Sequence, residues 1–414
     1  MKVLTVRTVI ALFILGIGIG VAQGWFAHSA APVPPPDPVP APAPGPPLND
    51  PKPSGQVPNH TIANSTLEMV FVLDTTGSMG GLLEGAKQRI WGLVNEVMQS
   101  ASHPSVRVGL VAYRDRGDQY VTRISPLTND LDQVYSTLMD YRAEGGGDGP
   151  ENVRRALADG VRNAGWSPRK QGIAQIIFLV GDAPPHEDYK DEPSTATTTA
   201  EAVKAGKIVN TIQCGNEPGT KNVWQAIAQH GEGQYFAIAQ DGGVQAIATP
   251  YDKEMSELGA KIGSTYVAYG GGAGAAGVSH RAEASAGQAA METAVASSAP
   301  AEAKADRAKN KALNSEAYAG DLLTNLENGS VKLAAVKDVD LPDDLRKLQP
   351  AARQKEIKKR LAERKKLRED ILKLSKVRDE FIAAARKKQS GNPNSFDSAV
   401  AVALKEQLSR KGIK

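Results

Sequence analysis

At 414 residues, with 41% hydrophobic and 23% charged residues, the chain has the composition of an ordinary soluble protein and room for two or three domains. Its net charge of +3 averages an acidic body with a basic tail, because residues 301–414 hold 27 Lys and Arg against 17 Asp and Glu. Cys214 is the only cysteine, which excludes a disulfide within the chain, and its apolar neighbours predict a buried side chain rather than a reactive thiol.

Residues 1–30 are predicted to be an export signal or a membrane anchor. Lys2 and Arg7 precede an apolar run that begins at Val9 and continues, with one interruption, to Ala27. A basic start followed by an apolar core and small residues is typical of a cleaved signal, whereas a length of about 20 residues suits an uncleaved span. Either alternative predicts an exported chain, periplasmic or otherwise extracytoplasmic, that is secreted or held at a membrane.

Residues 31–64 are predicted to be a Pro-rich linker. Proline at the density of APVPPPDPVPAPAPGPP excludes helix and sheet and favours extended polyproline II. We interpret the segment as a semi-rigid spacer that holds the next domain away from its tether, with a Pro-rich ligand for another domain as the alternative.

Residues 65–260 are predicted to form one α/β domain. Apolar runs indicate strands at residues 67–73, 106–113, 173–180, 207–214 and 234–239, with residues 120–124 as a hairpin partner. The intervening patterns indicate helices at residues 80–99, 130–141, 151–163, 195–205, 223–229 and 244–258. Continuous apolar strands that alternate with helices predict a doubly wound, mostly parallel, Rossmann-like sheet.

The last third of the chain is predicted to hold a linker and a helical module. Residues 261–300 are rich in Gly and Ala with few large apolar groups, so we expect a flexible, disordered linker. Residues 301–414 are predicted to be a charged α-helical module. Its long helix at residues 353–388 carries an imperfect apolar stripe that suits a coiled coil or a hairpin, and Ser395 is predicted to cap a last helix.

Oxygen-bearing side chains follow the first predicted strand, where Asp74, Thr76 and Ser78 stand at alternate positions. In an open α/β sheet the carboxyl ends of the strands are where ligands bind. A carboxylate with nearby hydroxyls is a suitable set of ligands for a hard cation such as Mg²⁺. Because hydroxyls bring no charge, such an ion would stay able to attract a carboxylate from outside.

This pattern resembles the metal-ion-dependent adhesion site of the von Willebrand factor type A family, whose motif is Asp-x-Ser-x-Ser, with Thr76 for the first Ser. The family usually adds a Thr ahead of the third helix. This chain has none there, and Asp148 is the natural substitute, binding the ion directly or through water. The family's Asp at the end of the fourth strand is present as Asp182, in a Gly-Asp-Ala-Pro-Pro-His form that looks like that of bacterial-type members.

The resemblance covers about residues 66–250 and implies a site for Mg²⁺, Mn²⁺ or Ca²⁺. The implied metal-binding residues are Asp74, Thr76, Ser78, Asp148 and Asp182, the last of them through the waters and hydroxyls that it positions. An Asp or Glu of a protein partner is expected to fill the open position on the ion.

Two further features have simpler interpretations. Arg116-Gly117-Asp118 spells an integrin-recognition tripeptide, but it falls in a predicted hairpin where Gly and Asp are turn formers. His186 opens an acidic stretch that includes Asp188 and Asp191, and we interpret it as a solvated loop at the rim of the metal site. A second cation or a basic partner is the alternative for this loop.

The sequence predicts a binding protein and not an enzyme. It contains no Cys/His zinc spacing, no G-x-S-x-G elbow and no P-loop. We therefore expect an extracytoplasmic protein that binds a protein partner through the cation, is held at a membrane by its first residues, and binds no nucleic acid. The alternative is an envelope scaffold, in which the C-terminal helices self-associate or carry the interaction and the α/β domain is a spacer or regulator.

Overall fold

In the computed structural model, which describes residues 65–100, 103–244, 246–314, 316–318, 320–388 and 395–413, six strands form one sheet in the order β3-β2-β1-β4-β5-β6. The strands are β1 (Thr66–Asp74), β2 (Ser105–Tyr113), β3 (Thr122–Thr128), β4 (Ile173–Gly181), β5 (Ile208–Cys214) and β6 (Glu232–Ile238). All neighbours are parallel except β2 and β3. The predicted doubly wound, mostly parallel sheet is therefore confirmed, and its order reverses between β1 and β4.

Five helices cover the two faces of the sheet: α1 (Gly80–Met98), α2 (Leu131–Asp140), α3 (Val153–Arg162), α4 (Thr195–Lys204) and α5 (Pro218–His230). The next helix, α6 (Asp252–Gly263), packs in a separate cluster away from the strands. Alternate residues of β1 point to opposite faces of the sheet. Phe71 and Leu73 pack in the cluster that contains α1, whereas Val70 and Val72 pack in the cluster that contains α3. The continuous apolar run of β1 follows from this double burial.

The helix predicted to begin at Val244 instead begins at Asp252. Pro250 explains the difference, because a proline disfavours helical conformation in the residue before it. The Asp252 carboxylate then accepts a hydrogen bond from the Thr249 backbone N–H at 2.6 Å and fixes the turn at the start of α6.

The C-terminal residues form six more α-helices within the described ranges: α7 (Gly274–Ser298), α8 (Ala301–Leu313), α9 (Leu322–Glu327), α10 (Asp343–Arg346), α11 (Pro350–Lys388) and α12 (Phe396–Arg410). They pack on the α/β domain. The Phe396 ring of α12 lies 5.9 Å from that of Phe71 in β1, and Asn95 of α1 donates to the Asp306 carbonyl oxygen of α8 at 2.8 Å. Helices α7, α8 and α12 thus contribute side chains to the core of the sheet, whereas α9, α10 and α11 pack in two other clusters.

The structure differs from the expectation of a disordered linker at residues 261–300, most of which lie in α6 and α7. Alanine is the strongest helix former, so an Ala-rich segment needs few tertiary contacts to stay helical. Glu292 supplies one such contact, since its carboxylate binds Arg307 at 2.7 Å and Lys311 at 2.7 Å, both of α8. Low hydrophobicity was thus a misleading sign of disorder here.

Gly287→Ala should raise the free energy of unfolding by roughly 1 kcal/mol, because Gly287 lies within α7 and a Cβ there meets no atom within 4 Å. Urea unfolding of the full chain measures the change. Ala289→Gly, two residues away, should lower the stability by a similar amount. If neither substitution changes the free energy of unfolding, the segment is not helical in solution.

Apolar side chains along one side of the long helix α11 pack against other parts of the same chain. Ile357 packs with Leu322 and Leu345, and Ile371 packs with Met255 and Ala308. The part of the stripe that contains Ile357 and Ile371 is therefore covered by other parts of the same chain.

The predictions for residues 1–30 and 31–64 lie outside the described residues. Within the part of the chain that the structure describes, no helix combines the length and the apolar character that a membrane span requires.

Candidate functional site

The predicted metal residues meet where the order of the sheet reverses, beyond the carboxyl ends of β1 and β4. Parallel strands leave a crevice at such a point, and ligands of α/β proteins bind there. An open cavity of ≈ 720 Å³ occupies this position. Its lining includes Thr76, Ser78, Asp148, Glu151 and Asp182.

Asp74 lies beneath this cavity and is fully buried. Its Oδ1 accepts hydrogen bonds from the Thr76 backbone N–H at 2.8 Å and from the Thr76 hydroxyl at 2.6 Å. Its Oδ2 is buried and has no hydrogen-bond partner among the described residues. Burial raises the pKa of Asp74 to about 7, against the lowering by the Thr76 hydrogen bonds and with a further rise from Asp182. The Tyr113 hydroxyl, which donates to the Val180 carbonyl oxygen, lowers this pKa only weakly.

Glu151 is a second buried carboxylate at the site, and the sequence reasoning missed it. A Cβ added to Gly146 would lie 2.9 Å from Glu151 Oε1 and 3.2 Å from Thr76 Cβ, which places the carboxylate beside Thr76. Glu151 Oε2 is buried and has no hydrogen-bond partner among the described residues. Burial first, and then the charge of Asp74, raise the pKa of Glu151 to about 9.

Asp148 occupies the outer part of the same loop. Its side chain is 61% exposed, and its Oδ1 lies 3.6 Å from Nε2 of His186. The group that is buried next to Thr76 is thus Glu151, three residues further on and immediately ahead of α3. The carboxylate of Glu151 was the signal available in the sequence, because it stands just ahead of the third helix, where the missing Thr is expected.

Asp182 and Ser78 are joined through Gln240. The Gln240 side-chain amide donates to Asp182 Oδ2 at 2.6 Å and to the Ser78 carbonyl oxygen at 3.4 Å. The Thr220 hydroxyl donates to the Asp182 carbonyl oxygen at 2.9 Å and ties the β4 loop to α5. The structure therefore brings Asp182 and Ser78 to one cavity, with their positions set by neighbouring polar groups.

The residues present fit a hard divalent cation. An ionised carboxylate that is buried without a partner is costly, so it takes up a proton or binds a cation. Asp74 and Glu151 each have one such oxygen, and both carboxylates lie near Thr76. Carboxylate and hydroxyl oxygens are the ligands of Mg²⁺, Ca²⁺ and Mn²⁺.

The tripeptide Arg116-Gly117-Asp118 has a structural role next to the site. Arg116 contacts both carboxylate oxygens of Asp191 at 2.8 Å. Asp118 Oδ2 accepts from the Gly146 backbone N–H at 3.0 Å and so supports the loop that carries Glu151. Cys214 is buried, as predicted.

Two curated proteins share part of their sequence with this chain. An ariadne-like RING finger protein, R811, of Acanthamoeba polyphaga mimivirus is 25% identical over 162 residues, which are 38% of this chain and 15% of that protein. The alpha-protein kinase vwkA of Dictyostelium discoideum is 27% identical over 126 residues, which are 30% of this chain and 19% of that protein. The chain thus spans less than a fifth of the length of either relative.

Two solved structures cover about the same share of the chain. A conserved hypothetical protein, BatB, from Bacteroides thetaiotaomicron has 18% identity and a TM-score of 0.31, and covers 42% of this chain and 90% of its own. The VWA domain of SpRpn10 has 15% identity and a TM-score of 0.33, and covers 42% of this chain and 89% of its own. The family model described as von Willebrand factor A domain matches residues 68–250. This part of the chain belongs to the von Willebrand factor A domain family.

Proposed function

We propose that the chain is an extracytoplasmic protein that binds a protein partner through a divalent cation held in the cleft between β1 and β4. Domains of this family generally mediate protein–protein interactions. The observation that carries the proposal is the pair of buried, unpartnered oxygens, Asp74 Oδ2 and Glu151 Oε2, beneath an open cavity. We propose no catalytic activity, and the kinase and RING finger names belong to relatives that match over a small part of their length.

Asp74, Thr76, Ser78 and Asp182 would hold the ion, with Asp148 at the rim, and Glu151 is added to the set predicted from the sequence. Mg²⁺, Mn²⁺ or Ca²⁺ would supply a positive centre that accepts an oxygen ligand from outside. The cavity opens to solvent on the side of Asp148, so an Asp or Glu side chain of a partner protein has access.

Export is proposed from the basic and apolar pattern of residues 1–30. A reporter enzyme that is active only outside the cytoplasm, fused after residue 64, should be active. Deletion of residues 2–27 should abolish that activity. Equal activity with and without the segment would contradict export.

Capture of partners with and without chelator tests the proposed function. The full chain is used as bait in extract that contains millimolar Mg²⁺ and Mn²⁺, beside Asp74→Ala. We expect specific partners that are lost with EDTA and lost with Asp74→Ala. Asp140→Ala, which removes an exposed carboxylate at the end of α2, should capture as the wild type does. Partners that are retained by Asp74→Ala in EDTA would contradict the proposal.

The scaffold alternative is favoured by one observation, the solvent face of α11. Val377 and Phe381, four residues apart on one side of the helix, are each more than a third exposed, and the exposed Lys366 and Lys373 lie on the same side. If this face carries the interaction, charge reversal at Lys366 and Lys373 should abolish capture while EDTA has no effect. The full chain is again the bait, because the C-terminal helices pack on the α/β domain.

A further inference from the structure

A second group of ligand-type side chains lies beside the cleft, and none of them is Asp74 or Glu151. His186 follows β4, Asp115 follows β2 and Asp148 precedes α3. Nε2 of His186 lies 3.4 Å from Asp115 Oδ2 and 3.6 Å from Asp148 Oδ1. A single ion could contact one atom of each residue, since the three ligand atoms lie within 4.8 Å of one another.

The histidine ring is fixed so that Nε2 faces the two carboxylates. His186 is 8% exposed, and its ring stacks on Tyr189 with the centroids 4.2 Å apart. The other ring nitrogen, Nδ1, lies 2.8 Å from Asp188 Oδ1. Nε2 is itself buried and has no hydrogen-bond partner among the described residues. A buried polar atom in this condition requires an explanation, because nearly all such atoms are satisfied.

The carboxylates are held differently, and this leaves one side of the group open. Asp115 is buried, and the Tyr189 hydroxyl donates to its two oxygens at 3.0 and 2.8 Å. Asp148 is exposed and faces the cavity. Three protein ligands with an open position are typical of a zinc site that keeps a water or an external ligand.

We propose that His186, Asp115 and Asp148 form a second divalent-cation site, next to the Asp74 site, for an ion that accepts nitrogen. Imidazole suits Zn²⁺ and related transition metals, whereas Mg²⁺ and Ca²⁺ prefer oxygen. The contact of Nδ1 with Asp188 matches the carboxylate that usually orients a metal-binding histidine. The inference goes beyond the proposed function and does not depend on it: Asp148 is the one residue named at both sites, and Asp74, Thr76, Ser78 and Glu151 take no part in this one.

The competing explanation is a protonated histidine. An imidazolium surrounded by Asp115, Asp148 and Asp188 would satisfy the same distances without a metal. The two explanations differ in one measurable property, which is whether the full chain binds Zn²⁺ through His186 while Mg²⁺ is present.

Equilibrium dialysis against micromolar Zn²⁺ in 5 mM Mg²⁺, followed by elemental analysis, measures this property. We expect about one Zn²⁺ per full-length chain, and a loss of affinity of at least roughly 100-fold in His186→Gln and in Asp115→Asn. Asp188→Asn should weaken Zn²⁺ binding by roughly 10-fold, the usual effect of removing a supporting carboxylate. His230→Gln, an exposed histidine at the end of α5, should bind as the wild type does.

Two results would overturn the proposal: a wild type that binds no Zn²⁺ at 100 µM, or unchanged affinity in His186→Gln. Asp188→Asn keeps the test valid if His186→Gln fails to fold, because Asp188 is exposed. Asp74→Asn should retain Zn²⁺ and lose only stabilisation by Mg²⁺. Failure of this inference and failure of the proposed function would therefore be seen separately.

Discussion

In chelator at pH 8, Asp74→Asn should be more stable than the wild-type chain by on the order of 4 kcal/mol, and at pH 3.5 the two should be about equally stable. Burial raises the pKa of Asp74 from the ordinary value of 3.8 to about 7 in the folded chain. At pH 3.5 the carboxyl is protonated in the folded state and mostly protonated in the unfolded state, so the penalty is close to zero. As the pH rises from 3.8 to 7, the buried carboxylate increasingly lowers the free energy of unfolding, and this destabilisation is complete above pH 7.

Urea unfolding of both proteins at pH 3.5, 6 and 8 in EDTA measures the difference. Asp140→Asn, at an exposed carboxylate, should follow the wild type at all three values. A variant that is less stable than the wild type at pH 8 would mean that the Asp74 carboxylate has a favourable partner without any cation.

Addition of Mn²⁺ or Mg²⁺ should lower or reverse the difference in stability between the wild type and Asp74→Asn. An ion that binds only the folded state stabilises it by about 2.7 kcal/mol at 100 times its dissociation constant. The wild type should gain this stability, and Asp74→Asn should gain none. The same carboxylate thus destabilises the metal-free fold and is proposed to bind the ion, which explains why a buried, unpaired Asp is tolerated there.

The sheet was predictable because its strands are buried on both faces. The predicted strands at residues 67–73 and 173–180 are present as β1 and β4, and uninterrupted apolar runs of this length allow few other placements. The cap of the last helix was predictable for a similar local reason. Ser395 accepts from the Ser398 backbone N–H at 3.4 Å.

The buried half of the candidate site was only partly predictable. Asp74, Thr76 and Ser78 follow one another in a single turn, so their proximity is a property of the local sequence. Glu151 reaches the same cavity through a loop that Gly145 and Gly146 bend with positive φ. Sequence spacing alone cannot show which of two acidic residues on such a loop points inward.

The docking of the C-terminal helices was not predictable from periodicity. Their buried charged residues resemble a solvated face in the sequence. In the structure those charges are neutralised in pairs, as for Arg364, which is fully buried against Asp321. The pattern of charges along a helix does not show whether a charged side chain is exposed to water or forms an ion pair with another helix of the same chain.

Arg378→Met should lower the free energy of unfolding by about 3–5 kcal/mol. Arg378 of α11 is 2% exposed, and it binds Asp252 of α6 and Asp306 of α8, each at 2.6 Å. Its removal leaves the buried carboxylate of Asp252 without a cation and leaves that of Asp306 with only Arg89, 3.7 Å away. The backbone carbonyl oxygen of Asp306 also accepts a hydrogen bond from Asn95 of α1, so the loss extends to the contact between α8 and α1. Urea unfolding of the full chain, followed by circular dichroism, measures the loss.

Lys376→Met is the matched control, because it removes an exposed charge two residues earlier on the same helix and should change stability by less than about 0.5 kcal/mol. If α11 and the α/β domain form one cooperative unit, Arg378→Met should still unfold in a single transition at a lower urea concentration. An early, separate loss of helix would instead mean that the C-terminal helices dock on a domain that is stable without them. The scaffold alternative would then gain support, because helices that detach so readily could exchange their contacts within the chain for contacts with a partner.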